Sequence, residues 1–146
     1  MKNDEQAWGE PVMGCRLGVS VGSPRIPAGK PINLALIFRN DGPHQVRFGR
    51  MSMWFDYEYS IVDGKGRPVP LTRFGNRQRA AATMGAAAIA EIAPGKEFTT
   101  KVELSRLYDF SLPGPYVIQA WKEVPDPSGK GFIKVISNKL EVEVTD

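Results

Sequence analysis

The sequence has very little histidine and cysteine, the side chains on which zinc sites and many catalytic sites depend. Its 146 residues include one cysteine, Cys15, and one histidine, His44. One of each cannot supply the usual ligands of a zinc site, and a single cysteine cannot form an internal disulfide bond. His44 follows the turn-forming run Asn40-Asp41-Gly42-Pro43, and nothing in the sequence supplies the nucleophile and acid that a catalytic histidine needs. We therefore predict no catalytic residue, no metal ligand and no cofactor, and we expect the protein not to be an enzyme.

A strong charge imbalance and long apolar runs are missing as well. Nineteen lysines and arginines against sixteen acids give a net charge of +3, which is too small for a dedicated nucleic-acid binder. No window approaches the roughly 18 apolar residues of a membrane-spanning helix. The first six residues are polar and no apolar segment follows them, so we predict no signal peptide. We expect a cytoplasmic protein as the chain stands; an exported or envelope-attached domain is the alternative if Met1 is an expression start.

Apolar and polar residues alternate along most of the chain. Hydrophobic residues make up 42% and charged residues 24%, as in ordinary globular domains, and 15 glycines and 12 prolines provide many turns. The alternation predicts seven to nine half-buried strands, and hence an all-β, immunoglobulin-like Greek-key β-sandwich. We assign residues 14–146 to this single domain and residues 1–13 to an N-terminal extension. The predicted core consists of Leu17, Val19, Leu34, Leu36, Phe38, Ile61, Val102, Leu104, Tyr116, Ile118, Val142 and Val144.

One segment interrupts the alternation and is also basic. Residues 71–88 are the least strand-like part of the chain, which predicts one long loop or a short helix near residues 73–90, the helical form lying around residues 78–90. A basic, mobile loop can hold phosphate, an acidic partner or an anionic membrane surface, and a solvated surface loop is the alternative. We predict that this segment contacts another protein, together with Trp8, and we expect no nucleic acid. The five cations of residues 64–90, which contain no acid, are Lys65, Arg67, Arg73, Arg77 and Arg79.

A second candidate surface contains Trp54, Asp56 and Glu58. The alternation predicts that the aromatic residues 55, 57 and 59 share one face of a strand, with Asp56 and Glu58 on the other face. Two carboxylates so placed can serve acid–base catalysis or bind Ca²⁺. An enzyme would have to rely on this pair or on a metal ion that the sequence does not reveal. An outward polar face with basic neighbours on adjacent strands is the commoner arrangement, and we expect it here.

The sulfur side chains give no sign of a reactive site. Cys15 falls on the apolar side of its strand, which predicts a buried thiol that packs as a small hydrophobic group. Met51 and Met53 could in principle hold Cu(I), but without a nearby histidine we predict core packing or contact with a partner.

The run Gly114-Pro115-Tyr116-Val117-Ile118 is typical of the tyrosine corner of immunoglobulin-like folds. In that corner a tyrosine early in a strand donates its hydroxyl to a backbone group upstream. The cysteine that follows two residues later in immunoglobulins is Ile118 here, so plain packing replaces the disulfide bond.

Several motifs resemble those of bacterial immunoglobulin-like domains. The run Leu107-Tyr108-Asp109-Phe110-Ser111-Leu112-Pro113-Gly114 is similar to part of the N-terminal β-sandwich of deuterolysin-type metalloproteases. The opening Trp8-Gly9-Glu10-Pro11-Val12-Met13-Gly14 resembles the start of immunoglobulin-like modules of envelope proteins. Resemblance to the intracellular proteinase inhibitor family rests on Pro27-Ala28-Gly29-Lys30-Pro31-Ile32 with Phe38-Arg39-Asn40, on Val62-Asp63-Gly64-Lys65-Gly66, on Ile92-Ala93-Pro94-Gly95-Lys96-Glu97 and on Pro113-Gly114-Pro115-Tyr116-Val117.

The resemblance covers residues 8–145 and implies the fold more than an activity, because the shared residues are turn and core residues. No inhibitory reactive-site residue can be carried over. The sequence therefore predicts a non-catalytic interaction module or accessory subunit of a bacterial assembly that binds a macromolecule through its basic loop. A proteinase inhibitor is the alternative.

Overall fold

A computed structural model of the chain describes residues 6–82 and 88–146, and strands dominate both ranges. The two helices are α1 (Arg73–Ala82) and α2 (Leu104–Leu107). The strands are β1 (Cys15–Val21), β2 (Arg25–Pro27), β3 (Asn33–Asn40), β4 (Val46–Arg50), β5 (Glu58–Asp63), β6 (Ala88–Ile92), β7 (Lys96–Glu103), β8 (Gly114–Pro125), β9 (Phe132–Ile136) and β10 (Leu140–Thr145). The described residues thus form ten strands where seven to nine were predicted, since β2 has only three residues and a short interruption separates β9 from β10.

The strands form three sheets around one core. One sheet has the order β1-β3-β7 and is antiparallel, with Leu36 of β3 opposite Val19 on one side and Thr100 on the other. In the five-stranded sheet β8 is central, because its Ile118 lies opposite both Ile61 of β5 and Leu140 of β10. Strand β2 pairs in parallel with β10, and β9 pairs with the later part of β8. Strands β4 and β6 pair with each other.

The buried face of each strand follows the alternation of the sequence. All twelve predicted core residues are buried, as the sequence analysis predicted, and they belong to one continuous hydrophobic cluster. Burial of alternate side chains on a pleated strand is what produces this pattern. Leu104 is the one member that lies in a helix, α2, instead of a strand.

The helix lies earlier in the chain than the alanine content suggested. It covers residues 73–82 and not 78–90, and residues 88–92 form β6; residues 83–87 fall outside the described ranges. Thr72 explains the start, because its side-chain oxygen accepts a hydrogen bond from the backbone N–H of Gly75 at 2.9 Å, which satisfies a free donor of the first turn. The predicted mobile loop is therefore mostly regular structure.

The stretch before β5 also differs from the prediction. Phe55 and Tyr57 are buried as expected, but Asp56 between them is only 2% exposed. Residues 53–57 form turns, and the strand begins at Glu58. The strand therefore begins later than the alternation from residue 55 implied, and Asp56 does not belong to an outward polar face.

Residues 6–13 pack along the edges of two strands. The backbone N–H of Gly9 donates to the carbonyl oxygen of Leu17 in β1 at 2.9 Å. A Cβ atom at Gly9 would overlap the carbonyl oxygen of Ile136 in β9, so only glycine fits this approach. The extension thus joins β1 of one sheet to β9 of the other.

Tyr116 makes the predicted corner, its hydroxyl donating to the Leu112 carbonyl oxygen at 2.6 Å. Tyr116→Phe should lower the free energy of unfolding by about 0.5–1.5 kcal/mol, the usual net value of one such hydrogen bond. Urea unfolding followed by fluorescence measures the loss. Tyr108→Phe is the matched control, because the hydroxyl of Tyr108 makes no hydrogen bond within the described ranges. Equal losses in the two variants would contradict a specific role for the corner.

Candidate interaction surface

Asp56 organises the turn that precedes β5. Its Oδ1 accepts hydrogen bonds from the backbone N–H groups of Met51 at 2.7 Å and Ser52 at 3.1 Å, and its Oδ2 pairs with Nε of Arg50 at 2.8 Å. The hydroxyl of Ser52 in turn accepts from the backbone N–H of Trp54 at 3.2 Å. Asp56 is therefore a structural residue that fixes the position of Trp54, and it is not available as an acid or base to a substrate.

Lys122 supports the same turn from within the core. Its Nζ donates to the backbone carbonyl oxygen of Asp56 at 2.7 Å and lies 4.3 Å from the ring centre of Phe48. Burial deprives the ammonium group of water and lowers the pKa of Lys122; Arg50 acts in the same direction, and the Asp56 and Glu58 carboxylates oppose the shift.

Lys122→Met should remove the contribution of Lys122 to stability, which rises with pH below the ordinary lysine pKa of 10.5. The folded chain holds this proton less tightly than the unfolded chain, so the unfolded state binds more protons as the pH approaches 10.5 and stability increases. Tyr57 has the opposite effect and lowers stability as the pH rises above 10. Burial raises the pKa of Tyr57, so the folded chain keeps a proton that the unfolded chain loses.

Urea unfolding of both chains between about pH 7 and 10 tests this, since tyrosine and lysine titrate at the upper end of that range. Tyr57→Phe is the control, and its pH dependence should differ from the unchanged chain only above about pH 10. Parallel curves for Lys122→Met and the unchanged chain would mean that the ammonium group is hydrated in the folded state.

Thr72, just before α1, joins the two helices by hydrogen bonds to backbone carbonyl oxygens of α2. The backbone N–H of Thr72, just before α1, donates to the Leu107 carbonyl oxygen at 2.8 Å, and the Thr72 hydroxyl donates to the Arg106 carbonyl oxygen at 2.5 Å. At Gly75 the helices come so close that a Cβ atom would overlap the Leu107 carbonyl oxygen. The side chains of α1 and α2 are consequently held in a fixed relation to each other.

Trp54 and these helices form a patch that we call the cationic aromatic surface, defined by Trp54, Phe74, Arg77 and Arg106. The rings of Trp54 and Phe74 meet edge to face, with centres 5.0 Å apart at 82°. The guanidinium group of Arg106 lies 4.3 Å from the Phe74 ring centre and 5.5 Å from that of Trp54, and Arg77 lies 6.0 Å from Phe74. Residues from the turn before β5, from α1 and from α2 thus meet at one place.

The arginines of this surface are not neutralised. Arg77 and Arg106 are exposed, and neither forms an ion pair with an acid of residues 6–82 or 88–146. Arg73 is exposed and equally unpaired within these ranges, and it lies one helical turn from Arg77 on the same face of α1. Arg77 and Arg106 therefore border the two rings, with Arg73 one turn away, and none of the three charges has a paired carboxylate in the described part of the chain.

Arg79, which was predicted to contact a partner, is instead held by the chain itself. Its Nη2 pairs with Oε1 of Glu58 at 2.5 Å, and its guanidinium group lies 5.1 Å from the ring centre of Phe55. The hydrogen bond that Arg79 donates to Glu58 is the main cause of the raised pKa of Arg79. This pair ties the end of α1 to the start of β5 and removes both residues from the set of free charges.

The other predicted contact residues lie elsewhere. Arg67 pairs with Asp63 at 3.1 Å in the turn after β5, and Lys65 belongs to the same turn. Glu58 and Asp63 are the two ends of β5, roughly 16 Å apart at the usual rise of a strand. Trp8 contacts Arg16, whose guanidinium group lies 4.4 Å from the indole ring centre. The structure does not bring these residues together with the cationic aromatic surface.

Sequence reasoning missed Arg106 as a site residue. It lies about 50 positions from Trp54 and about 30 from Phe74, and its neighbours Leu104 and Leu107 continue what the sequence presents as a strand. The spacing of those two leucines fits one helical turn, and that was the only local signal. The side chain of Met53, next to Trp54, is exposed, so it does not pack in the core; its contact with a partner stays a prediction.

The remaining candidates lie where the sequence predicted. His44 is exposed, and Cys15 is fully buried. Burial raises the pKa of the Cys15 thiol to about 11, with Asp41 contributing to the shift. Among the described residues no three His, Cys, Asp or Glu side chains lie together as a metal site would require.

The strands and helices define an all-β protein with two short helices. No protein-family model matches the chain, and no curated protein matches it. Its structure is similar to the X-ray structure of Northeast Structural Genomics Consortium target SoR45, with a TM-score of 0.52 over 90% of this chain and 87% of that one, at 12% identity. At this identity the similarity shows a shared fold alone. Neither described range contains a helix long and apolar enough to cross a membrane.

Proposed function

We propose that the protein is a non-catalytic interaction module, such as an accessory subunit of a bacterial assembly, that binds another protein through the cationic aromatic surface. The observation that carries the proposal is the position of Arg106 and Arg77 against the ring of Phe74, with Trp54 adjoining, while no acid of residues 6–82 or 88–146 pairs with either arginine. Tryptophan and arginine are the residue types most enriched at the energetic centres of protein interfaces.

We further propose that the fold is an immunoglobulin-like Greek-key sandwich. Three features support this. The β1-β3-β7 sheet and the sheet centred on β8 contribute to one core, β2 pairs in parallel with β10, and Tyr116 donates to Leu112 at a corner. Such domains often serve as binding modules, but that association comes from the fold and not from the site.

Replacing Arg77 and Arg106 together by serine should abolish co-purification of the partner from a native extract. The charges are exposed, and an exposed cation–π contact contributes about 0.5–1 kcal/mol, so the melting temperature should fall by only a few degrees. The partner should also be lost from the unchanged chain at high salt, because screening weakens contacts between exposed charges. Co-purification followed by mass spectrometry measures both effects.

Lys65→Ser with Arg67→Ser is the matched control. The control also removes two positive charges, but these lie at the other end of β5. Retention of the partner by Arg77→Ser with Arg106→Ser, or its loss from the control alone, would show that the binding surface lies elsewhere. If the unchanged chain purifies alone, the proteinase-inhibitor alternative becomes the leading one, and a panel of serine proteases assayed with excess protein decides it.

A further inference from the structure

We infer that the cationic aromatic surface recognises a short acidic segment of a protein partner, in which two or three carboxylates accompany an apolar or aromatic side chain. This rests on the proposed function and specifies the chemistry of its partner. The argument has three parts: the way Arg106 is presented, the small number of free cations, and the apolar residue beside them.

Arg106 is presented as a ready-made carboxylate binder. The guanidinium carbon of Arg106 lies 4.3 Å from the ring centre of Phe74 and 5.5 Å from that of Trp54, and the N–H edge of the group has no acceptor among the described residues. That edge matches the two oxygens of a carboxylate. Since the side chain is already held by the rings and by the junction of α1 with α2, little conformational entropy is lost when it binds.

The free cations are few and lie close together. Arg73 is one turn from Arg77 on α1, so it adds a third positive charge to those of Arg77 and Arg106. Three charges match the two or three carboxylates of a short acidic segment. A nucleic-acid strand carries a phosphate at about every 3.4 Å and would need a longer basic track.

An apolar contact adjoins the charges. Met53 is 63% exposed, and it directly precedes the half-buried Trp54. Methionine is adaptable in shape and contacts aromatic rings favourably. A partner side chain such as phenylalanine can pack on Met53 and Trp54 while neighbouring carboxylates reach Arg77 and Arg106.

The test uses the full chain and three synthetic twelve-residue peptides, with binding measured by isothermal titration calorimetry. The first contains aspartates around one phenylalanine, the second has every aspartate replaced by asparagine, and the third has the phenylalanine replaced by serine. A twelve-nucleotide oligo-dT is the fourth ligand. We expect the first peptide to bind, the asparagine peptide to lose at least about tenfold in affinity, and the serine peptide to lose several-fold.

Three protein variants locate the binding: Arg106→Lys, Arg106→Ser and Lys65→Ser. Arg106→Lys keeps the charge but lacks the planar fork, so we expect the affinity for the first peptide to fall by about tenfold. Lys65→Ser should bind as the unchanged chain does. Equal binding of the aspartate and asparagine peptides, no binding of any peptide, or full binding by Arg106→Lys and Arg106→Ser would overturn the inference. Tighter binding of oligo-dT than of the first peptide would replace it with a nucleic-acid site.

Failure of this inference can be told apart from failure of the proposed function. If no acidic peptide binds but the natural partner is still lost from Arg77→Ser with Arg106→Ser, the surface binds a partner of another chemistry. If the peptides do not bind and the double variant keeps its partner, both proposals are wrong.

Discussion

Asp56→Ala should lower the free energy of unfolding by about 2–5 kcal/mol, because it removes a buried carboxylate that accepts three hydrogen bonds. Asp56 is 2% exposed. Its carboxylate accepts hydrogen bonds from the backbone N–H groups of Met51 and Ser52 and from the side chain of Arg50. Alanine can accept none of these three bonds, and each buried donor left without an acceptor costs about 1–3 kcal/mol. Urea unfolding at neutral pH measures the change.

Two further variants sharpen this experiment. Asp56→Asn keeps an oxygen that can accept the two backbone bonds, so it should lose less than Asp56→Ala. Asp126→Ala is the matched control, because Oδ1 of Asp126 accepts the backbone N–H of Ser128 in an exposed turn and its loss should cost under about 1 kcal/mol. Equal, small losses for Asp56→Ala and Asp126→Ala would mean that other contacts hold the turn before β5.

The Asp56 variant also bears on function. The turn it organises carries Trp54, one wall of the cationic aromatic surface. We therefore expect Asp56→Ala to weaken binding of the acidic peptide under conditions in which the chain is still folded, although Asp56 itself is buried and touches no ligand.

Leu36→Ala and Ile118→Ala should each lower the free energy of unfolding by about 2–5 kcal/mol, through lost burial and the cavity left behind. Both side chains are fully buried, and each lies on the central strand of its sheet, with a paired strand on either side. The surrounding side chains therefore have little freedom to close the space. Chemical unfolding of each variant gives the loss.

Ile37→Ala is the control for Leu36→Ala. Ile37 is the next residue of β3, and it is only half-buried on the opposite face. Its truncation should cost clearly less than that of Leu36. A larger loss at Ile37 than at Leu36 would contradict the assignment of the buried face, because neighbouring residues of a strand point to opposite sides.

The sequence predicted most of the core because one physical rule governs it. Apolar residues at every second position must share a face of a strand, so the buried sides of β1, β3, β8 and β10 could be read directly. The Tyr116 corner was predictable for a similar reason, since a Pro-Gly turn and the tyrosine are close in sequence. The same alternation was misleading at Asp56, where a turn and not a strand sets the side-chain direction.

The interaction surface could be predicted only in part. The basic character of the segment around Arg73 and Arg77 is visible in the composition, but pairing of Arg79 with Glu58 is not. Arg106, Trp54 and Phe74 meet because α1 packs on α2 at Gly75, a contact between residues more than 30 positions apart. Long-range packing of this kind leaves no periodic signal in a single sequence.

The state of Cys15 has a practical consequence for studying this chain. A thiol reacts as the thiolate, and a fully buried group with a pKa near 11 offers almost none at neutral pH. A cysteine introduced at an exposed position, such as that of Met53, would then be the single accessible thiol of the native fold. One fluorophore or spin probe could be attached beside Trp54 without altering the natural sequence elsewhere, while Cys15 would react with a reagent only in molecules that have opened their core.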